Sequence, residues 1–215
     1  LEAAKSHPHW NSALQGKNQG RGLASGFWFN VGGPSSCYIS VNDDGTINLV
    51  EGSTDIGGTR ASIAMQAAEV LGIPATAVKP QVTDTASIGY TSVTGGSSVA
   101  FKTGWAAYEA ATDIKRQLVE RAAKIWETTI EEVDYESGML YHKADPEQKM
   151  SFKELAGKLL STGGPITSQA AVNPRGAGPA FATMIVDVEV DPETGKTEIL
   201  RCTVVQDVGK AIHPS

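Results

Sequence analysis

Two loops rich in glycine, serine and threonine carry most of the potential chemistry of this sequence. They occupy residues 52–59 and 83–98, and each follows a hydrophobic, strand-like segment and leads into a helical pattern. Glycine lets a backbone approach a ligand closely, and the first N–H groups of a helix have no partner inside that helix. Together with the helix dipole, such loops favour a phosphate-bearing ligand. Two of them in succession predict one extended ligand that lies across both.

The candidate ligand-binding residues are the glycines and hydroxyl residues nearest to the two predicted helix starts. They are Gly57, Gly58, Thr59, Thr94, Gly95, Gly96, Ser97 and Ser98. Neither loop has the Lys-Ser/Thr pair of a P-loop or the G-x-G-x-x-G spacing of a dinucleotide fold. The residues alone therefore leave two interpretations open, a phosphate site and a pair of ordinary tight turns.

Other kinds of site are poorly supported by the sequence. There is no G-x-S-x-G motif, and no spacing typical of metal ligands. His7, His9 and His142 are predicted to lie at the surface, and no metal-ligating residues are predicted. The two cysteines, Cys37 and Cys202, fall in strand-like segments and are predicted to be buried, apolar thiols. Two cysteines cannot hold a four-cysteine iron–sulfur cluster.

Hydrophobic periodicity predicts the elements that position the loops. Residues 38–50 alternate around Asp44-Gly45, which is typical of a hairpin. Helical patterns follow at residues 59–71, ending at Gly72, and from Ser97 or Ser98 to about Trp126. The apolar stripe predicted for the longer helix is Ala107, Ala111, Ile114, Leu118, Ala122 and Ile125. We also predict a strand at residues 26–31, a small hairpin at residues 135–142 and a helix up to residue 160 that Ser151 caps, with Glu154 at the capping-box position. Alternating segments at residues 182–190 and 196–205 flank a further turn. Strands at both ends with helices between them predict an α+β fold, a mixed β-sheet packed with helices.

Composition limits the class of protein. The 215 residues are 40% hydrophobic and 20% charged with a net charge of −6, so no nucleic-acid partner is expected. No apolar run is long enough to span a membrane, and the low cysteine content is typical of the cytoplasm. We expect an N-terminal segment or linker at residues 1–25 and one domain at residues 26–215. Because the chain starts at Leu1 and stops in a loop, we expect a fragment of a longer polypeptide.

A series of motifs resembles the large subunit of the molybdenum hydroxylases, the family of xanthine dehydrogenase, aldehyde oxidase and carbon monoxide dehydrogenase. Residues 51–74 are similar to the family's cofactor-binding segment, and Asp84-Thr85 resembles its "DT". Residues 94–98, followed by Gly104, resemble its "T-x-G-S-R" loop and helix start. Residues 186–195 resemble its "VEVDPETG" hairpin, and residues 207–214 resemble its "D-x-G-x-x-I-N-P". The matches keep the family's order over residues 21–215.

This resemblance implies a molybdopterin cofactor, in bacteria usually the cytosine dinucleotide. Gly57 and Gly58 would approach the pterin or the molybdenum, and Gly96, Ser97 and Ser98 would donate hydrogen bonds to the pterin and phosphate. The implied reaction is hydroxylation of an aldehyde or N-heterocycle with oxygen from water. Iron–sulfur clusters and FAD are implied on other domains or subunits, as is a homo-oligomer of the complete enzyme. The catalytic Glu of the family lies outside this chain, so the chain alone is expected to be inactive.

Two departures from the family pattern leave an alternative open. The usual first turn is G-Q-G, whereas this sequence has Gly57-Gly58, one residue shorter and without the Gln. The Arg beside the second loop is replaced by Ser98. The alternative is therefore a degenerate, non-catalytic member that acts as a binding or interaction module.

Overall fold

The computed structural model describes residues 1–212 and confirms the predicted α+β class, with helices packed on a mixed sheet. The chain forms two compact units. The first comprises Leu1–Asn30 and Gly178–Ala211, and the second comprises Val31–Ala177. His213 and Pro214, which complete the last motif, lie outside the described residues.

The helices and strands are numbered in chain order. The helices are α1 (Glu2–Ser6), α2 (Pro8–Asn11), α3 (Thr59–Leu71), α4 (Thr85–Ile88), α5 (Val99–Ile125), α6 (Phe152–Ala156) and α7 (Leu159–Thr162). The strands are β1 (Gln19–Val31), β2 (Ser35–Val41), β3 (Ile47–Glu51), β4 (Val78–Val82), β5 (Val133–Glu136), β6 (Met139–His142), β7 (Lys149–Ser151), β8 (Thr167–Val172), β9 (Gly176–Val190) and β10 (Thr197–Asp207).

The second unit is built on a sheet with the strand order β4-β3-β2-β8. The predicted hairpin forms β2 and β3, which pair antiparallel with Cys37 opposite Glu51, whereas β3 and β4 run parallel. Burial alternates along β2 and β3, as expected of strands with one covered face. Because β3 ends at Glu51, the first glycine loop begins directly at the carboxyl end of this strand.

The two predicted helices cover this sheet. Both are confirmed, and α3 ends at Gly72, whose left-handed φ of +60° closes the helix. The predicted apolar stripe of α5 lies in the core. Its residues Ala107, Ala111, Ile114, Leu118 and Ala122 are fully buried, and Ile125 packs against them. Small alanine side chains let two helices approach closely, so the axes of α3 and α5 can lie side by side.

The remaining part of the second unit is a small sheet, β5-β6-β7, which contains the predicted hairpin. Its buried Tyr135 donates a hydrogen bond to Leu71 O at the end of α3, and burial raises the pKa of Tyr135. Ser151 begins α6 with a capping box to Glu154, as predicted. The helix nevertheless ends at Ala156 and resumes as α7, so the prediction of one helix up to residue 160 was wrong.

The first unit contains the sheet β1-β9-β10 and the helices α1 and α2. Strands β9 and β10 form the predicted antiparallel hairpin around residues 191–195. Strand β1 begins at Gln19 rather than at Gly26, so residues 19–25 are strand and not a loop. Ladder hydrogen bonds to β9 override the low β-propensity of this glycine-rich segment. The proposed division of the chain at residue 25 remains a prediction.

Two sequence-based predictions fail in this unit. His9 is fully buried, not at the surface, because the sheet supplies it with polar partners. Its Nδ1 lies 2.8 Å from Thr203 Oγ1, and its Nε2 lies 3.0 Å from Asp187 Oδ2. Cys202 is exposed rather than buried, because it lies on β10 at the edge of the sheet. Cys37 is buried as predicted.

Asp187 is the charged centre of the first unit. Arg21 binds it with two nitrogens, at 2.6 Å from Nε to Oδ1 and 2.8 Å to Oδ2. The same guanidinium donates to the carbonyl oxygens of Trp10, in the last turn of α2, and of Ser12, which directly follows that helix. The hydrogen bond from Arg21, helped by His9, lowers the pKa of Asp187 to about 2. The ionised carboxylate therefore ties the N-terminal segment to strands β1 and β9.

We expect Asp187→Asn to destabilise the protein at neutral pH. We also expect the free energy of unfolding of this variant to change less with pH in the acid range. The free-chain pKa of Asp is about 3.9, so the native carboxylate contributes its full stabilisation above that pH. The contribution is lost as the pH falls through about 4 towards 2, where Asp187 takes up a proton. Urea unfolding measured between pH 2.5 and 7 checks this. Glu193→Gln, which removes one exposed negative charge, is the control, and parallel pH curves for wild type and Asp187→Asn would contradict the assignment.

Candidate functional site

The first loop is anchored from below by a buried acid. Glu51 is fully buried, and its Oε2 accepts hydrogen bonds from Ser53 N at 2.6 Å and from Ser53 Oγ at 2.5 Å. Burial raises the pKa of Glu51, although the two bonds from Ser53 oppose the shift. Its other oxygen, Oε1, has no partner within residues 1–212. The start of the loop is therefore fixed from inside the domain, which leaves its outer side to solvent.

The end of the first loop needs its two glycines. Gly57 and Gly58 have left-handed φ values of +64° and +76°, which residues with a side chain rarely adopt. No atom lies within 4 Å of a Cβ built at either position, so the space above them is open. Gly58 is the N-cap of α3 and provides no capping side chain. Asp55 serves instead, accepting from Arg60 N at 3.1 Å and pairing with Arg60 Nε at 3.0 Å.

The second loop ends at a helix without a cap. Gly96 and Ser97 are both left-handed, with φ values of +62° and +57°, so Ser97 carries backbone strain. Ser98 is the N-cap of α5 but makes no side-chain capping bond. It is only 2% exposed, and its Oγ has no hydrogen-bond partner among the residues described. A buried hydroxyl without a partner costs free energy, so this helix start is suited to an external acceptor.

The two loops meet at one end of the domain. Thr54 N donates to Thr94 Oγ1 at 3.1 Å, and below them Gln66 of α3 donates to Ala100 O of α5 at 3.0 Å. Further along, the end of α3 and the middle of α5 both contact Tyr135. The two helices therefore run in the same direction, and their N-terminal ends lie together. This is the arrangement that the repeated strand–loop–helix pattern predicts.

Direct contact between the predicted residues is more limited. Thr94 contacts the first loop, but in the described part of the chain no hydrogen bond joins Gly57, Gly58 or Thr59 to residues 95–98. The first loop already holds a carboxylate, Asp55, whereas the second presents an uncapped helix. An anionic group is therefore better placed at the second loop. Within residues 1–212 no cluster of three or more His, Cys, Asp or Glu is placed to hold a metal ion.

Sequence reasoning missed two residues of this site, Glu51 and Lys102. Lys102 lies on the buried side of α5, is 1% exposed and donates to the backbone of Ser92 and Val93 within the second loop. A usable signal was present in both cases, namely a charged residue at a position where periodicity requires an apolar one. Such a residue is retained in a core only if it has polar partners, which here are the loops themselves.

Comparison with known proteins identifies the class. Residues 2–215 match the family model described as the molybdopterin cofactor-binding domain, and the chain belongs to that family. The predicted resemblance to the molybdenum hydroxylases is thereby confirmed.

Curated relatives cover most of this chain. The putative xanthine dehydrogenase molybdenum-binding subunit of Escherichia coli K12 is 28% identical over 182 residues, which are 82% of this chain and 24% of that protein. The nicotine 6-hydroxylase large subunit of Paenarthrobacter nicotinovorans is 26% identical over 186 residues, 82% of this chain and 23% of the relative. The chain thus spans about a quarter of the length of these relatives.

Solved structures share the fold. A carbon monoxide dehydrogenase from Oligotropha carboxidovorans superposes with a TM-score of 0.80 at 24% identity, over 91% of this chain and 27% of that one. Quinoline 2-oxidoreductase from Pseudomonas putida 86 gives a TM-score of 0.79 at 21% identity, over 92% and 28% of the two chains.

Gly104, near the start of α5, packs against Gln66 in the middle of α3, and a double-mutant cycle tests this contact between the two helices. A Cβ at Gly104 would lie 2.1 Å from Gln66 Oε1, so Gly104→Ala must displace Gln66 from Ala100 O. Its helix-propensity gain of about 1 kcal/mol is then offset by a lost hydrogen bond of about 1 kcal/mol. In the Gln66→Ala background we expect the full gain. Urea unfolding measures both, and additive effects would contradict the contact.

Proposed function

We propose that this domain binds molybdopterin as its cytosine dinucleotide and serves an oxidoreductase that hydroxylates an aldehyde or an N-heterocycle with oxygen from water. Membership of the molybdopterin cofactor-binding family supports the cofactor class. The observation that carries the site is the uncapped start of α5, where the buried Ser98 Oγ has no partner. The names of the relatives, a xanthine dehydrogenase and a nicotine hydroxylase, favour N-heterocyclic substrates.

The residues present fit such a cofactor. We assign the phosphate and part of the pterin to Thr94, Gly95, Gly96, Ser97 and Ser98, where backbone N–H groups and hydroxyls converge at a helix start. Left-handed Ser97 followed by right-handed Ser98 has the backbone conformation of an anion-binding nest, in which successive N–H groups converge.

The first loop takes the other end of the ligand in this proposal. Gly57, Gly58 and Thr59 border the open space above the start of α3, so a flat ring system can approach their backbone without meeting a side chain. Their role is to orient the pterin and the molybdenum, which supplies the redox chemistry when it is bound. Thr54, which bonds to Thr94, keeps the two loops at a fixed separation.

The proposed partners follow from this role. Electrons from the substrate must leave the cofactor, so we propose iron–sulfur and FAD domains or subunits as acceptors, in a cytoplasmic homo-oligomer. Relatives described as a molybdenum-binding subunit and a large subunit are consistent with such assemblies. In the described residues, none of the helices has the length and apolar character needed to cross a membrane.

A second candidate function is a non-catalytic binding module. The first loop favours this function, because Gly57-Gly58 is one residue shorter than the G-Q-G turn of the family and offers no side chain to a ligand. This module would use the same second loop but would not turn over substrate.

Elemental analysis of the protein, purified from its native host, distinguishes the two candidate functions. We expect about one molybdenum per chain, together with CMP released by acid treatment. A folded, matured sample that contains neither molybdenum nor nucleotide would reject cofactor binding and favour the non-catalytic module.

Gly95→Val tests the placement of the site. Gly95 is exposed, has no left-handed φ and has no atom within 4 Å of its Cβ position, so the fold should tolerate valine. A ligand bound to the loop would collide with the valine side chain and should therefore bind more weakly. Overpacking of this kind costs about 1–3 kcal/mol, so molybdenum and CMP affinity should fall roughly ten-fold to a hundred-fold.

The control for Gly95→Val is Gly22→Val, the same change at another open position that belongs to neither loop. We expect unchanged cofactor content in the control. Wild-type content in Gly95→Val would contradict the placement. Gly96 is a poor probe, because a Cβ there would lie 2.6 Å from Val31 Cγ2 and would disturb the empty protein as well.

A further inference from the structure

Lys102 is an unusual residue for the core of a helical layer. Its side chain is 1% exposed, and its Nζ donates to Ser92 O at 3.0 Å, Ser92 Oγ at 2.6 Å and Val93 O at 2.8 Å. Three acceptors match the three N–H groups of an ammonium, so the geometry suits the charged form. Burial lowers the pKa of Lys102, because the side chain has lost its contact with water.

The charge of Lys102 has no ionic partner within residues 1–212. The acids in or next to the two loops are otherwise engaged. Glu51 binds Ser53, Asp55 pairs with Arg60, and Asp84 caps α4 through the N–H groups of its first turn. A buried cation without a counter-ion is costly, because its hydration is replaced only by neutral dipoles.

Lys102 also makes hydrogen bonds on both sides of residues 94–97 in the second loop. Its backbone N–H donates to Ser98 O at 2.7 Å, and its ammonium holds Val93, the residue before Thr94. The four residues between these anchors, at positions 94–97, belong to the proposed ligand-binding loop. The bond to Ser98 belongs to the helix backbone, whereas the side chain of Lys102 fixes the segment before Thr94 and contributes to the electric potential at the loop.

We propose that Lys102 is the positioning residue that prepares the second loop for an anion: it fixes the segment before Thr94 and supplies the unpaired positive charge that a phosphate at Thr94–Ser98 would balance. This inference rests on the proposed function and adds the electrostatic basis of phosphate selection. A cation close behind a helix start increases the attraction that the helix dipole already has for an anion.

Three variants separate the charge from the hydrogen bonds. Lys102→Gln removes the charge but keeps two N–H donors, and Lys102→Met removes both at similar length. Ser92→Ala keeps the charge and removes one acceptor of the ammonium. Circular dichroism and thermal unfolding establish which variants fold, and Lys102→Gln carries the test if Lys102→Met does not fold.

The experiment uses the protein as its host makes it. We expect Lys102→Gln and Lys102→Met to release molybdenum and CMP roughly ten-fold faster than wild type, and Ser92→Ala to stay within about two-fold. Retention by Lys102→Gln equal to that of wild type would show that the charge is not needed. Release from Ser92→Ala as fast as from Lys102→Met would show that only loop packing matters. Either result overturns the proposal.

Binding of inorganic pyrophosphate to cofactor-free protein, measured by calorimetry, distinguishes this inference from the proposed function. We expect roughly ten-fold weaker pyrophosphate binding in Lys102→Gln and an unchanged affinity in Ser92→Ala. If wild type holds molybdenum and CMP but Lys102→Gln binds pyrophosphate normally, only the role of Lys102 fails. If wild type lacks molybdenum and CMP yet binds pyrophosphate through Lys102, the cofactor assignment fails and the anion site stands.

Discussion

The close, same-direction packing of α3 and α5 is the constraint on which the rest of the domain depends. Each helix follows its own glycine loop, so loops that are some 40 residues apart in sequence can cooperate only if the two N-terminal ends lie together. Gly104 permits that approach because any side chain there would occupy the position of Gln66. The bond from Gln66 to Ala100 then fixes the relative height of the helices. Close packing of small residues thus determines where two helix dipoles point.

Most of the fold could be predicted from local patterns. Helix α5 has a clear apolar periodicity, and both α3 and α5 have glycine or hydroxyl residues at their ends, so the local signals agree. Strand β1 has no such pattern, since its residues 19–26 are mainly glycine and polar residues, and it exists because β9 offers it a ladder. The burial of His9 has the same origin. Long-range partners such as Asp187 and Thr203 cannot be recognised from spacing along the chain.

The two candidate loops could be predicted from the sequence, whereas the buried charged residues beside them could not. Glycine and hydroxyl residues identify loops that can approach a ligand, and they identified both loops here. Glu51 and Lys102 act from below those loops, at positions where a helical or strand pattern indicates core. The two have opposite effects. Burial raises the pKa of the acid, which Ser53 holds, and lowers the pKa of the ammonium, which has three neutral acceptors. The ammonium lies behind the second loop and the acid below the first.

The contrast between the two thiols has a practical consequence for biophysical work. Burial, reinforced by the neighbouring carboxyl of Glu51, raises the pKa of Cys37, so this thiol stays protonated and out of reach of alkylating reagents. Cys202 is exposed on an edge strand. The chain contains no other cysteine. A maleimide dye or nitroxide would therefore attach at one defined point without mutagenesis, and fluorescence or paramagnetic relaxation could follow the first unit while ligands are added to the second.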